Sequence, residues 1–252
     1  MVTGYHIQEL CLMLKILQTN LNPSRKHLLQ IEKWLSKEYN SGGHQFYGNW
    51  NGIVKSFENQ NLITIQYEDL VYGFLTFKLD DYVAHIDICV IHSEQRRKGL
   101  GKELLDRSTE YFQSFGILVL ELFCVPKSSQ STWKRLGFLD FPEFPHNNRI
   151  SMFKPIVEYL KPNNPGETKQ NKILLWECKG YRKERENPKY QWELQFENDG
   201  KTLQKPIIQP AYYKWNLQAI INGEIILEEE IERFPNNNVE HGNFLIIREL
   251  IV

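Results

Sequence analysis

The sequence predicts an α/β (α+β) domain followed by a small, mostly β region. Three observations predict this. Residues 83–115 read as strand, glycine loop and helix in direct succession. Residues 117–125 (ILVLELFCV) are a nearly continuous apolar run, which suits a strand covered on both faces. Beyond residue 172 the helical period vanishes and five strand signals follow.

Taken in order, residues 6–19 carry Leu10, Met13, Leu14 and Leu17 at helical spacing, which predicts a first helix. Asn22-Pro23-Ser24 breaks it. Ser24 can cap a second helix with Leu28, Ile31, Leu35 and Tyr39 on one stripe, ended by Ser41-Gly42-Gly43. Residues 50–59 suggest a short helix around Ile53 and Phe57. Residues 62–67 and 71–79 are β-rich and read as a hairpin, and 83–91 (VAHIDICVI) is a third strand. The helix 101–115 should face inward with Leu104, Ser108, Tyr111 or Phe112, and Phe115. A short helix over 128–136 and a strand over 150–156 complete a first domain at 1–160.

Residues 161–172 (KPNNPGETKQNK) are polar, with two prolines and a glycine, and read as a linker. In the tail, 173–252, residues 173–179, 190–197, 213–221, 224–231 and 244–251 look like strands. Asn222-Gly223 between two of them is a hairpin signal. Five strands in about 80 residues suit a small sandwich or barrel.

The 252-residue chain has a formal net charge of −1. No global field draws it to nucleic acid or an anionic membrane, and no run reaches the ~18 apolar residues of a membrane span. Cys11, Cys89, Cys124 and Cys178 show neither CxxC nor zinc spacing; they read as reduced thiols of a cytoplasmic protein. No metal site is expected. His92, at a strand end, reads as structural; His44 and His146 sit in loops with no discernible partner.

The chemistry centres on Arg96-Arg97-Lys98-Gly99-Leu100-Gly101. Glycine at 99 and 101 lets the backbone approach a ligand closely. N–H groups at a helix N-terminus, reinforced by the helix dipole, form a nest suited to a pyrophosphate. Arg96, Arg97 and Lys98 add positive charge. A Rossmann fingerprint fails because position 104 is leucine, and a Walker loop lacks its Gly-Lys-Ser/Thr. A glycine turn opening an ordinary helix is the plain alternative.

The stretch Ile91-His92-Ser93-Glu94-Gln95-Arg96-Arg97-Lys98-Gly99-Leu100-Gly101 resembles the acetyl-CoA loop of the GNAT (GCN5-related N-acetyltransferase) superfamily, usually similar to V-H-P-E-Y-R-G-K-G-L-G. Thr132-Trp133-Lys134-Arg135-Leu136-Gly137-Phe138 resembles that family's later L-Y-E-K-L-G-F element. Met152-Phe153-Lys154-Pro155 resembles its closing strand. The resemblance covers roughly 60–156; the family's usual first strand is not visible before 60, and the tail is not covered.

The resemblance implies a GNAT acyl-CoA N-acyltransferase fold with a central mixed sheet that splays between strands 83–91 and 117–125. It implies acetyl-CoA as cosubstrate, with its pyrophosphate on the backbone of 96–101 (Arg96, Arg97, Lys98, Gly99, Leu100, Gly101) and Lys102 beside it. N–H groups near Val90 and Ile91 would polarise the thioester carbonyl. An amine would attack directly, with no covalent enzyme intermediate. Simple alternation places His85, Asp87, Cys89 and Ile91 on one strand face, and His85 or Asp87 is the candidate general base. The tyrosine that the family uses as acid aligns with Trp133, so Trp133 is expected to pack beside the cosubstrate, and Ser128, Ser129 or Ser131 could bind the pantetheine arm. The expected function is therefore acetyl transfer to an amine of a small molecule or protein. An acyl-CoA-binding regulatory module without efficient transfer is the alternative. The acidic run Glu228-Glu229-Glu230 with Glu232 could orient a cationic acceptor, and homodimerisation is another role open to the tail.

Overall fold

The computed structural model describes residues 17–42, 45–142, 150–163, 170–178, 180–233 and 244–250. Residues 6–16 of the expected first helix, Cys11, Gly43, His44, His146 and residues 164–169 of the linker lie outside the described residues. The chain divides into two compact units: Met1–Leu139 with Arg149–Ile156, and Asp140–Asn148 with Val157–Val252.

The first unit begins with β1 (Gln18–Asn20), then α1 (Arg25–Asn40), a 3-10 turn (Gln45–Asn49) and α2 (Trp50–Glu58). The hairpin follows as β2 (Leu62–Tyr67) and β3 (Leu70–Asp80), then β4 (Val83–Ile91), α3 (Leu100–Ser114), β5 (Val119–Phe123), α4 (Gln130–Arg135), β6 (Leu139–Asp140) and β7 (Ser151–Pro155). They form one mixed sheet in the order β1-β2-β3-β4-β5-β7-β6. The pairs β1–β2, β2–β3, β3–β4 and β5–β7 are antiparallel, whereas β4 and β5 pair in parallel because α3 carries the chain back between them.

Both faces of the sheet are covered. One carries α3, with Leu100, Leu104, Leu105 and Phe112 against Ile63, Leu75, Phe77, Ala84, Ile86, Leu120 and Leu122. The other carries α1 and α2, with Leu28, Ile31, Leu35 and Ile53 against Leu62, Phe74 and Val90. The expected stripe of α1 is thus confirmed at Leu28, Ile31 and Leu35, while Tyr39 is exposed. Ser24 opens the helix, and its N–H donates to His27 Nδ1 at 3.1 Å.

Four expectations change. Residues 18–19 do not end a helix: β1 pairs antiparallel with β2 through Thr19↔Ile65, and it supplies the first strand that sequence reading failed to see. Phe115 does not face inward; it follows the last turn of α3 and is 59% exposed. Its ring meets Tyr111 edge-on at 4.9 Å. Phe112 fills the inward position and meets Phe77 edge-on at 4.9 Å. Phe112→Ala is therefore expected to lower the unfolding free energy by about 3–5 kcal/mol, and Phe115→Ala to change it by less than about 0.5 kcal/mol. Urea titration of both variants measures the contrast.

The third change concerns β4. Its register to β3 shifts between Thr76↔Ile88 and Phe77↔Ile86, so Asp87 is an extra, bulged residue. Ala84 and Ile86 pack on the α3 side, as do Cys89 and Ile91, whereas Ile88 and Val90 pack on the α1 side. His85 therefore shares a face with Ile88 and Val90, not with Cys89 and Ile91.

The fourth lies in the second unit. Its strands are β8 (Lys172–Trp176), β9 (Tyr190–Glu193), β10 (Thr202–Pro210), β11 (Asn216–Ile221), β12 (Glu224–Glu230) and β13 (Phe244–Glu249). They make a four-stranded sheet, β12-β11-β8-β9, and a two-stranded sheet, β10-β13. Ile173, Leu175, Trp192 and Leu217 of the first share a core with Ile207, Leu245 and Ile247 of the second, as in a small sandwich. Sequence reading missed β10 because Pro206 and Pro210 weaken its strand signal. Pro206 is tolerated in the irregular stretch between Thr202 and Ile207. Asn222 and Gly223 both have positive φ, 53° and 84°, as a tight hairpin turn requires.

Among the described residues, no cluster of three or more His, Cys, Asp or Glu is placed to hold a metal ion. No helix there is long and apolar enough to cross a membrane.

Candidate active site

The site begins where two strands part. β4 and β5 pair from Val83↔Val119 to Ile86↔Leu122 and no further, although β4 continues to Ile91. The bulge at Asp87 bends β4 at that point. Cys124, just past β5, donates its N–H to the Ile150 carbonyl at 2.8 Å, so the chain leaves β5 on the side away from β4.

In the mouth of this fork lies an ion pair. His85 and Glu121 are register partners, and His85 Nδ1 is 3.0 Å from Glu121 Oε2. The glutamate side chain is 2% exposed and the histidine 35%. The hydrogen bond to Glu121 raises the His85 pKa above its ordinary 6.5, against the opposing effect of burial; the charges of Glu121, Asp80 and Asp87 add to the rise. Glu121 was missed in the sequence, yet it carried a signal. It is the one charge in the run 117–125, and a carboxylate in a strand buried on both faces requires a partner.

Asp87, the other candidate base, is engaged elsewhere: its Oδ2 lies 2.9 Å from Lys78 Nζ in an exposed pair. It borders a cleft of about 390 Å³ on the α1 and α2 side of the sheet. Asn49, Asn51 and Ser56 line the helical wall, and Thr76, Asp87 and Ile88 line the sheet.

The backbone donors of β4 divide. His92 N–H bonds Tyr72 O at 2.8 Å, and antiparallel alternation then turns Val90 N–H toward β3 as well. Ile91 N–H points to the fork side, and its carbonyl, on that side, accepts from Arg96 Nε at 2.9 Å. Of the two expected donors, Ile91 is placed to act and Val90 is spent within the sheet. Burial pushes the Cys89 thiol up to about 12, which disfavours its thiolate.

Past Ile91 the loop turns sharply. His92 Nδ1 accepts the Glu94 N–H at 3.3 Å, and its ring lies 5.3 Å from that of Trp34. Arg97 and Gly99 both adopt positive φ, 64° and 85°. Among the described residues, no backbone carbonyl takes the N–H of Arg97, Lys98 or Gly99. Leu100 and Gly101 open α3, where no helical carbonyl reaches their N–H groups. Gly101 is informative. A methyl group there would meet only Ile91 Cγ1, at 3.7 Å, so the protein's own packing does not require glycine at this helical position. Open space before a row of N–H donors fits the close approach of an anionic ligand.

The side chains contribute less than their charges suggested. Arg96 binds Ile91 O and Glu38, Lys98 Nζ donates to Gln95 Oε1 at 2.9 Å, and Lys102 pairs with Asp106 along the helix. Trp133 meets Phe138 edge-on at 5.1 Å and packs against the α3-side core. Ser128 is exposed, whereas the Ser129 hydroxyl is buried and has no hydrogen-bond partner among the described residues.

Residues 28–138 match the family model described as the acetyltransferase (GNAT) family. The chain carries a GNAT-family domain. The large mixed sheet and the helices packed on it match the GNAT fold. The match ends at 138, so the whole second unit lies beyond it. No curated protein matches the chain. Among solved structures, the PaiA N-acetyltransferase of Thermoplasma acidophilum, in complex with coenzyme A, aligns at 18% identity over 55% of this chain and 98% of its own, with a TM-score of 0.44. The ribosomal-protein-S18-alanine N-acetyltransferase of Escherichia coli aligns at 14% identity over 56% and 95%, with a TM-score of 0.45. Ard1 of Thermoplasma volcanium aligns at 15% identity over 57% and 99%, with a TM-score of 0.45.

Proposed function

We propose that the GNAT domain transfers the acetyl group of acetyl-CoA directly to a primary amine of a small molecule or protein. One observation carries this reading: the His85–Glu121 pair sits in the mouth of the fork on the strand that leads into the N–H-lined loop. Donor and base are thus presented by a single strand, β4.

In this mechanism the loop backbone from Arg97 to Gly101 holds the pyrophosphate, and Ile91 N–H donates to the thioester carbonyl. The amine lone pair attacks that carbon; the C–N bond forms and the C–S bond breaks. His85 takes the amine proton. Glu121 holds Nδ1 as the N–H donor, which leaves Nε2 as the accepting nitrogen. The departing thiolate is a good leaving group, so an acid at the Trp133 position is not required, and the proton reaches sulfur through solvent. The cleft beside Thr76 and Asp87 receives the acceptor.

The test is a titration calorimetry measurement of CoA binding, followed by thiol release from acetyl-CoA across a panel of primary amines. Saturable binding and amine-dependent release above background hydrolysis are expected. Absence of CoA binding sinks the proposal; binding without release with any amine removes the transferase reading.

A further inference from the structure

We infer that Glu38 of α1 is a positioning residue for the phosphate loop: it acts through Ser93 and Arg96 and touches no substrate. The inference rests on reading residues 96–101 as the CoA pyrophosphate site.

Glu38 lies 55 residues before Ser93. Its Oε1 accepts the Ser93 N–H at 2.9 Å, and its Oε2 accepts from Arg96 Nη2 at 3.0 Å. Arg96 Nε in turn donates to Ile91 O at 2.9 Å. One carboxylate and one guanidinium therefore tie together the end of β4, the first residue of the turn and the residue that enters the loop. The Glu38 side chain is only 12% exposed. Burial favours its neutral form, but the Ser93 and Arg96 interactions outweigh that effect and hold its pKa below the ordinary value.

The next residue shows why a clamp is needed. Arg97 has φ 64°, a conformation that a non-glycine residue keeps only when its surroundings impose it. Among the described residues no backbone carbonyl takes the N–H of Arg97, Lys98 or Gly99, and Arg96, anchored at both Nε and Nη2, fixes the chain immediately before them. The arginine nearest the loop thus supplies geometry through Glu38 rather than a free charge. Hydrogen bonds to charged groups are the strong ones, so loss of this carboxylate should be felt in the loop.

The experiment compares CoA with pantetheine, which lacks the pyrophosphate, on the full chain. Glu38→Gln is expected to weaken CoA binding by about tenfold or more while pantetheine binding and the thermal midpoint stay near wild type. The double variant Glu38→Gln/Arg96→Lys should bind CoA no more weakly than the worse single variant, because both break one unit. If Glu38→Gln does not fold, Glu38→Asp, which keeps the charge but shortens the reach, carries the same comparison. Unchanged CoA affinity overturns the inference. So does an equal loss for CoA and pantetheine, which marks a general structural role, and so do additive losses in the double variant, which place Arg96 on the phosphate itself. Failure of the wild type to bind CoA instead removes the underlying reading of the loop.

Discussion

His85→Ala is expected to lower kcat by about 10²- to 10⁴-fold, the usual worth of a positioned general base, and to leave acetyl-CoA affinity unchanged. The affinity should hold because His85 lies in the fork, whereas the N–H groups proposed to bind the pyrophosphate follow the end of β4. Steady-state kinetics with any accepted amine measures the split between kcat and KM. A kcat within about threefold of wild type assigns the proton to another group. The pH profile gives an independent reading. Glu121 stabilises the imidazolium, so the His85 pKa is raised above 6.5 and the base form accumulates only as pH rises through that raised value. The rate should climb with pH accordingly. Glu121→Gln removes the main cause of the rise, so the midpoint should move to lower pH. The stability linkage has the opposite direction. A raised folded-state pKa means that the pair stabilises the fold fully below 6.5, and that this contribution is lost as pH rises through the folded value.

Gly101→Ala should separate binding from stability. The added methyl group meets only Ile91 Cγ1 at 3.7 Å, an ordinary contact. Alanine also favours the helix, so unfolding free energy should rise by up to about 1 kcal/mol. CoA affinity should fall by about tenfold or more, equivalent to about 1.4 kcal/mol, because the methyl group occupies the approach to the row of N–H donors. Thermal melts with calorimetry on one protein preparation measure both. If affinity is unchanged, the pyrophosphate does not approach the backbone at Gly101. Gly99→Ala is a poorer probe, because φ 85° strains any side chain there whatever binds.

Much of the fold was legible because its signals are local. Periodicity placed α1, α2, α3 and the hairpin β2–β3, and the nearly continuous apolar run placed β5 between two covered faces. The loop could be read because its residues, together with Thr132 to Phe138, resemble the GNAT family's motifs at the family's spacing. β1 was hidden because three residues carry no period; only its pairing with β2 makes it a strand. β10 was hidden by its prolines: Pro206 falls in an irregular stretch of the ladder and Pro210 is the last residue of the strand.

The sequence by itself determined that a glycine-rich loop joins a strand to a helix, because backbone conformation there depends on residue type over a few positions. It also marked His85 as a candidate base. Tertiary structure decided the rest of the candidate site. The bulge at Asp87 changes the face that His85 shares, since one extra residue reverses the alternation that follows it. The pairing of His85 with Glu121 depends on the register of two strands separated by a helix. The clamp between Glu38 and the loop spans 55 residues. Such contacts arise where elements pack against one another, and no local pattern in the chain records them.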